Sequence, residues 1–294
     1  MISNKIFKNK YSLKYHHKER VLLFDVLRGI GILGFLAFHF AYDLAMLPDY
    51  FENFLDLTLV DPNLYFLLEI SNYCDKVVFL PMMRMIEQAF AIMFFVVSGI
   101  STIFSRNTLR NGIIVSLAAM FVTLFTYVLG ILTGSGYGPL IRFGALHAIG
   151  IGLLIVGIIE LIARKLKFKV HPSLYFYVGL TLVSIGILIM GICKIPISSD
   201  YSFIGYLKVV VGLETDLTDH FAIFPYSGYI VLGASFGNFF KHQIFLLKGR
   251  HKKMEKIFKP LTVLGRNSLV IYLFHQIVFL AFFILLLVPL GFEL

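Results

Sequence analysis

Seven blocks of the sequence are apolar over about the 20 residues that an α-helix needs to cross the hydrocarbon core of a bilayer. They lie near residues 22–47, 85–105, 112–133, 143–163, 174–194, 221–240 and 262–290. Charged residues make up 15% of the chain, against about 25% in soluble domains. The sequence therefore predicts an all-α, polytopic integral membrane bundle of about seven transmembrane helices.

The connecting segments between apolar blocks are alternately rich and poor in Lys and Arg. Nineteen of the 26 Lys and Arg residues lie in the segments 1–20, 106–111, 164–169 and 241–259, and five lie in the segments between them. Because Lys and Arg are retained on the cytoplasmic side, we expect a cytoplasmic N-terminus and an extracytoplasmic C-terminus. The net charge of +9 follows from this topology, so no nucleic-acid partner is expected. The predicted location is the plasma membrane, with lipids as the surrounding partner.

The chain is predicted to be a single transmembrane domain, residues 21–294, that follows a basic cytoplasmic tail, residues 1–20. Its longer loops are the outer loops 48–84 and 195–220 and the basic cytoplasmic loop 241–259. The first outer loop is expected to cap the outer face, with a short interfacial helix at Asn63–Ser71 that begins after Pro62.

The two cysteines, Cys74 and Cys193, have neither CxxC nor metal-ligand spacing, so the sequence predicts no metal site. Both fall on the predicted outer side, and a disulfide between them stays open.

The first apolar block carries four ionisable residues, Asp25, Arg28, His39 and Asp43, within one predicted span. A charged side chain costs about 2.5–3.5 kcal/mol at the centre of an inserted helix. At 100° per residue the four form a stripe about 60° wide, and Arg28 and His39 are about 16 Å apart along the axis. The stripe predicts a functional site that connects the two sides of the membrane, with Asp25 orienting Arg28. The alternative is a purely structural role, in which Asp25 and Arg28 form an ion pair at the membrane interface and His39 is a core histidine that is hydrogen-bonded to Asp43.

Further polar residues are expected to meet this stripe from other helices. They are Arg142 and His147 before and within the fourth span, Asp219 and His220 before the sixth, and Ser268, Tyr272, His275 and Gln276 on the seventh. At the cytoplasmic start of the last span, Arg266 and Asn267 lie near the level of Arg28, where two guanidinium groups can bind phosphates bidentately. Contact of Arg266 with lipid headgroups and a helix cap at Asp219–His220 are equally compatible with the sequence.

The sequence resembles the heparan-alpha-glucosaminide N-acetyltransferase catalytic-domain family, within the transmembrane acyltransferase superfamily that includes the acyltransferase-three proteins. Five blocks in order carry the resemblance: FDVLRGIGILGFLAFHFAYDL, FAIMFFVVSGIS from Phe90, RFGALHAIGIGLL from Arg142, DHFAIFPYSGYIVLG from Asp219 and LGRNSLVIYLFHQ from Leu264. It covers most of the chain outside the N-terminal tail and residues 48–82. Arg28 and His39 also resemble the arginine and histidine of the superfamily's first helix.

The resemblance implies a membrane-bound acetyltransferase that moves an acetyl group from cytosolic acetyl-CoA to an amine or hydroxyl of an extracytoplasmic saccharide. His39 would be the general base, oriented by Asp43, and an acetyl-histidine relay stays open. The implied catalytic residues are His39, Asp43, His147 and His275. The implied CoA-binding residues are Arg28, Arg266, Asn267 and Ser268, and the implied acceptor-binding residues are Arg142, Asp219, His220, Tyr272 and Gln276. N- or O-transfer, the acyl chain and a homo-oligomer stay open.

Two other classes of membrane protein fit the same polar stripe. In a proton-coupled transporter or flippase of a polar or glycolipid substrate, the four ionisable residues of the first span would form a proton relay. In a haem-binding quinone oxidoreductase, two of His39, His147 and His275 would be axial ligands.

Overall fold

The computed structural model describes residues 21–132, 140–216, 219–247 and 252–293. Within these ranges the chain is helical and contains no β-strand, which confirms the all-α prediction. The predicted basic tail, residues 1–20, lies outside the described residues, as do parts of the loops that were predicted at 195–220 and 241–259.

In chain order, the helices are α1 (Leu22–Ala45), α2 (Leu47–Tyr50), α3 (Phe54–Val60), α4 (Tyr65–Val78), α5 (Pro81–Ile100), α6 (Thr108–Leu132), α7 (Ala145–Lys165), α8 (Pro172–Ile192), α9 (Phe203–Val211), α10 (Gly228–Phe239), α11 (Lys241–Leu246), α12 (Lys252–Ile257), α13 (Lys259–Arg266) and α14 (Ser268–Leu287). Short 3-10 helices extend α5 over Ser101–Phe104 and α14 over Val288–Leu290. Within the described ranges, six of these elements are long and apolar enough to cross a membrane: α1, α5 with its extension, α6, α7, α8 and α14 with its extension.

The segment that was predicted as one span at 221–240 is bent and shorter than the others. It consists of a π-helical turn over residues 223–227, with non-helical backbone angles at Phe224, and the 12-residue helix α10. It nevertheless runs antiparallel to α8, because Ser235 Oγ donates to the carbonyl of Pro172 at 2.9 Å and a Cβ on Gly186 would meet Pro225. The sixth predicted span is therefore a broken element in this structure.

The outer loop that was predicted at 48–84 folds into α2, α3 and α4, and the helix expected at Asn63–Ser71 is α4, which begins two residues later and is longer. Its core is apolar and includes the end of the chain; the buried members are Leu47, Phe51, Phe54, Leu67, Leu68, Phe283, Leu287 and Phe292. Asn53 Nδ2 donates to the carbonyl of Gly291 at 2.9 Å, so the cap is also joined to the C-terminal residues by a hydrogen bond. Cys74 and Cys193 carry free thiols.

The span that was predicted at 262–290 is divided at Asn267 into α13 and α14. α13 approaches α1 backbone to backbone: a Cβ on Gly265 would lie 1.9 Å from the carbonyl oxygen of Asp25, and one on Gly29 would lie 2.0 Å from that of Leu261. Small residues permit this close approach of membrane helices. The contact sets Arg266 beside the first turns of α1 and starts α14 alongside it.

Candidate active site

A cavity of about 670 Å³ lies between α1, α5, α6, α7 and α14, within the range of roughly 300–1,000 Å³ that is typical of ligand pockets. Charged and polar side chains line its end near the start of α1, among them Asp25, Arg28, Ser105, Thr108, Asn111 and Ser268. Aromatic and aliphatic side chains line the rest, including Ile32, Phe35, Phe90, Phe94, Phe221 and Tyr272. The cavity therefore suits a ligand with an anionic or polar head and a narrow, less polar arm.

One stripe of α1 relates this cavity to the predicted catalytic residue. Arg28, Ile32, Phe35 and His39 follow one another at spacings of four, three and four residues, which places them on one helix face. The first three line the cavity, whereas His39 lies one turn beyond its end. The ring of Phe35 separates the two, with its centroid 3.9 Å from that of the His39 imidazole.

His39 and His275 form a pair at this end of the cavity. Their ring centroids are 5.1 Å apart, with an interplanar angle of 82°. His39 Nδ1 contacts the carbonyl of Phe35 at 3.1 Å, and His275 Nδ1 contacts that of Tyr272 at 2.6 Å. Because a carbonyl oxygen only accepts, Nδ1 carries the proton in both rings and Nε2 keeps its lone pair. Nε2 of His275 is buried without a hydrogen-bond partner in the described part of the chain.

Asp43 does not orient His39, contrary to the sequence-based expectation. Its Oδ1 atom accepts hydrogen bonds from Tyr50 Oη at 3.1 Å and from Gln276 Nε2 at 2.9 Å. The backbone of α1 orients His39 instead, through the carbonyl of Phe35. Asp43 thus ties α14 to the outer cap next to the histidine pair, and the predicted acceptor-binding residue Gln276 is one of its partners.

The four predicted CoA-binding residues gather at the opposite end of the cavity. Asp25 is 3% exposed and bridges two arginines: Arg266 Nε donates to its Oδ2 at 2.9 Å, and Arg28 NH1 lies 3.8 Å from its Oδ1. Arg28 and Ser268 line the cavity, whereas Arg266 does not. Asn267 Nδ2 donates to the carbonyl of Val263 at 2.9 Å and so closes the last turn of α13. Arg28 is therefore the guanidinium best placed to meet a ligand phosphate.

Tyr272 and Asp219, two predicted acceptor-binding residues, contact each other at the far end of the cavity. Tyr272 Oη donates to Asp219 Oδ2, which also accepts from the backbone N–H of Ala145 at 3.3 Å. Gly144 makes this arrangement possible, because a Cβ there would lie 2.4 Å from Asp219 Oδ2. Burial raises the pKa of Asp219 to about 6, and its Oδ1 atom has no hydrogen-bond partner among the described residues.

His147, which was predicted to be catalytic, lies at the start of α7 with both of its ring nitrogens in hydrogen bonds to neighbouring groups. Its Nδ1 atom accepts from the backbone N–H of Gly144 at 3.1 Å, and its Nε2 atom is 3.2 Å from Thr123 Oγ1. Since Thr123 Oγ1 donates to the carbonyl of Ile141, Nε2–H of His147 donates to Thr123. Both ring nitrogens are thus used to fix the start of α7.

Arg142, which was predicted to bind the acceptor, is buried and held by residues of the segment 195–220. It is 4% exposed, and its Nε atom donates to Asp216 Oδ1 at 2.8 Å. Its NH1 group donates to the carbonyl of Asp200 at 2.8 Å, and its guanidinium lies over the ring of Tyr201 at 4.9 Å. Its hydrogen bonds hold two parts of the second outer loop together.

His220, also predicted to bind the acceptor, is held inside the same loop. Its Nε2 atom is 2.9 Å from the carbonyl of Val209, and its Nδ1 atom is 3.0 Å from Thr215 Oγ1. Burial lowers the pKa of the imidazole, so the ring is neutral near pH 7 and donates through Nε2. The local contacts leave no ring nitrogen for a ligand.

Three residues near the histidine pair were missed by the sequence analysis: Phe35, Tyr50 and Arg84. Arg84 lies in the first turn of α5, 3.2 Å from Glu87 and over the ring of Phe38 at 5.4 Å. The i, i+3 spacing of Arg84 and Glu87 in an apolar segment was the available signal. Phe35 gave none, because an apolar residue in a membrane helix is unremarkable by composition.

Two chemical possibilities are limited by this geometry. The edge contact between the rings of His39 and His275, at 5.1 Å, leaves no room for a macrocycle between them, which contradicts the haem alternative for this pair. In the described ranges, no group of three His, Cys, Asp or Glu side chains is placed to hold a metal ion. The arrangement supplies an imidazole base at the end of an amphipathic cavity, which is the requirement for general-base or nucleophilic group transfer.

The family model described as heparan-alpha-glucosaminide N-acetyltransferase, catalytic, matches residues 57–277, about three quarters of the chain. The match begins after α1, so Arg28, Phe35 and His39 lie outside it, and it includes most of the cap that the sequence resemblance left out. No curated protein and no solved structure matches the chain.

Proposed function

The chain belongs to the heparan-alpha-glucosaminide N-acetyltransferase catalytic family and is a multi-pass membrane acetyltransferase, and we propose that it transfers an acetyl group from cytosolic acetyl-CoA to an extracytoplasmic saccharide acceptor. The observation that carries the proposal is the cavity that follows α1 from Arg28 to Phe35 and ends beside His39 and His275. The predicted topology sets the Arg28 end towards the cytoplasm and the histidine pair towards the outside. We propose the plasma membrane as its location.

The donor is proposed to bind with its phosphates at the Arg28 end. Arg28 is 23% exposed and lines the cavity, and Asp25 holds it in place from one turn earlier. Arg266 adds positive charge through the same carboxylate. The pantetheine arm would extend along Ile32 and Phe94 towards His39, about 16 Å from Arg28 along the helix axis.

His39 is proposed to act as the general base. Its Nε2 atom takes a proton from the acceptor amine or hydroxyl as that group attacks the thioester carbonyl carbon. The C–S bond then breaks, and the imidazolium returns the proton to the CoA sulfur. His275, with its buried Nε2 lone pair, lies where it can position the acceptor. In the alternative acetyl-histidine relay, His39 Nε2 attacks the thioester carbon and releases the CoA thiolate; the acceptor then attacks the acetyl-imidazolium, which frees the imidazole, and the acceptor's proton goes to the thiolate.

The acceptor is proposed to reach the pair from the outer side, past the cap. Asp43, Gln276 and Tyr50 form a hydrogen-bonded group next to the histidines, and the Tyr272–Asp219 pair lies at the inner edge of this region. Carboxylates and hydroxyls of this kind hydrogen-bond the amine and hydroxyl groups of a sugar.

The test is acetyl-CoA binding and acetyl transfer to glucosamine by purified protein in detergent. We expect Arg28→Ala to weaken acetyl-CoA binding about 10- to 100-fold, the loss of one or two charge-assisted hydrogen bonds. We expect His39→Ala to lower kcat about 10²- to 10⁴-fold with binding retained. Matched controls are Arg110→Ala and His242→Ala, which change exposed residues that do not line the cavity.

Full transfer by a folded His39→Ala variant would contradict the assignment of the base. A folded wild type that binds no acetyl-CoA would contradict the proposed donor and favour the proton-coupled transporter.

A further inference from the structure

The cavity ends one helical turn short of the proposed base. Arg28, Ile32 and Phe35 line it from one stripe of α1, and His39 is the next residue of that stripe. The Phe35 ring is in contact with both imidazoles, with centroids 3.9 Å from His39 and 5.1 Å from His275. A group that enters the cavity at the Arg28 end must therefore pass this ring to reach Nε2 of either histidine.

Other rings at this end of the cavity are fixed in place. Tyr272 is anchored by the hydrogen bond from its hydroxyl to Asp219. Phe221 is 5% exposed and packs edge-on against Tyr226 at 4.9 Å. Phe35 has no polar side-chain atom, and its ring contacts are with His39, Tyr272 and His275, so its rotation about χ1 breaks no hydrogen bond.

We propose that Phe35 is the barrier between the donor cavity and the histidine pair, and that it decides between acetyl transfer and hydrolysis. When the Phe35 ring rotates about χ1, the thioester can contact His39. In its observed position, the ring keeps water on the outer side from reaching the thioester. The partition between transfer and hydrolysis rests on the proposed function, whereas the barrier itself does not.

Without the ring, water would compete with the acceptor for the same carbonyl carbon. Hydrolysis forms a C–O bond to water and breaks the C–S bond. His39 Nε2 relays one proton of water to the CoA sulfur, and the acetic acid that is released ionises. The products are acetate and free CoA, and no further reactant is needed.

The barrier is tested by cysteine labelling, which requires no catalysis. In a Cys74→Ser/Cys193→Ser background, His39→Cys is labelled by a charged, membrane-impermeant methanethiosulfonate that is added to inside-out vesicles. We expect Phe35→Ala to speed labelling at least tenfold. Phe40→Ala is the matched control, because Phe40 lies on the same helix but packs on Phe279 and Phe283, with centroids 5.3 and 5.5 Å away, and does not line the cavity.

Labelling of Ile32→Cys reports that the reagent enters the cavity, since Ile32 lines the cavity between Arg28 and Phe35. Equal labelling of His39→Cys with and without Phe35→Ala overturns the barrier. So does a failure to label Ile32→Cys, because the cavity would then not open to that side.

The partition is tested with acetyl-CoA and glucosamine as the acceptor probe, by measuring acetate released per acetyl transferred. We expect Phe35→Ala to raise this ratio at least tenfold, Phe35→Leu to restore most of the wild-type ratio, and Phe40→Ala to leave it unchanged. A wild type that transfers nothing contradicts the proposed function, while the labelling result still decides the barrier. A wild-type ratio in an active Phe35→Ala variant overturns the role of Phe35 in the reaction.

Discussion

Histidines in this chain differ in what their ring nitrogens contact. His39 and His275 each use Nδ1–H on a carbonyl of their own helix, three or four residues earlier. His147 and His220 use both nitrogens, one as donor and one as acceptor, on groups that fix local structure. A neutral imidazole has one lone-pair nitrogen, so a ring of the second kind has none left for a substrate proton.

Asp219 is a second residue whose surroundings set its chemistry. Burial raises its pKa from 3.8 to about 6, so the folded protein binds this proton more tightly than the unfolded chain does. The protonated Asp219 carboxyl therefore stabilises the folded state fully below about pH 4, and this stabilisation is lost as the pH rises through 6. The loss is about 3 kcal/mol at about 1.4 kcal/mol per pKa unit.

We predict that Asp219→Asn flattens the dependence of thermal stability on pH between pH 4 and 7. The amide keeps an acceptor for Tyr272 Oη and for the N–H of Ala145 but does not titrate. The measurement is the Tm of purified protein in detergent across this pH range. An unchanged slope in Asp219→Asn would assign the pH dependence to another group, and Asp56→Asn is the control because no hydrogen bond ties that exposed carboxylate in the described structure.

Helix–helix contacts in this bundle depend on glycines at the points of closest approach. The α1–α13 contact is the one that matters most for the site, because it fixes Arg266 on the carboxylate of Asp25. Asp25 in turn holds Arg28 at the edge of the cavity. Backbone packing between two helices thus sets the position of the proposed phosphate-binding arginine.

We predict that Gly265→Ala destabilises the protein by at least about 1–3 kcal/mol, because the added methyl overpacks the contact with the Asp25 carbonyl oxygen. Acetyl-CoA binding should weaken with it, since Arg28 loses its fixed partner. Unfolding followed by denaturant and binding by calorimetry measure the two effects.

Gly191→Ala is the matched control for this substitution. A Cβ on Gly191 would meet nothing within 4 Å, so the change should be neutral or stabilising by up to about 1 kcal/mol through helix propensity. Equal loss of stability in the two variants would contradict the packing argument.

At the scale of the whole molecule, the alternation of Lys- and Arg-rich connecting segments predicts which face of the bundle lies outside. This prediction counts the broken segment 221–240 as the sixth membrane crossing. Cys193 is exposed and directly follows α8, at the end of that helix predicted to lie outside. We predict that a membrane-impermeant maleimide labels Cys193 in intact cells. Cys193→Ser should remove most of the label, because Cys74 is only partly exposed.

The opposite side is reported by His242→Cys in a background without native cysteines. His242 is exposed on α11, in the segment predicted to be cytoplasmic, so labelling should require permeabilised cells. Labelling of His242→Cys in intact cells, or of Cys193 only after permeabilisation, would reverse the predicted topology.

Sequence by itself determined the fold class and the six membrane-length helices of the described residues, because the transfer of a helix into lipid depends on the length and apolarity of a contiguous segment. It also determined the polar face of α1, because the helical period places Arg28 and His39 on one stripe. The sequence did not predict the break within 221–240 or the division at Asn267, because backbone packing with neighbouring helices decides both.

Only the tertiary structure decided which polar residues meet. His39 and His275 contact each other, whereas Arg142, His147 and His220 are hydrogen-bonded to other partners. In the sequence, all five are polar residues within or beside apolar blocks, so the sequence does not show which of them meet. The physical reason is that a buried polar group takes whichever partner the fold brings within hydrogen-bond distance, and for Asp43 those partners are Tyr50 and Gln276.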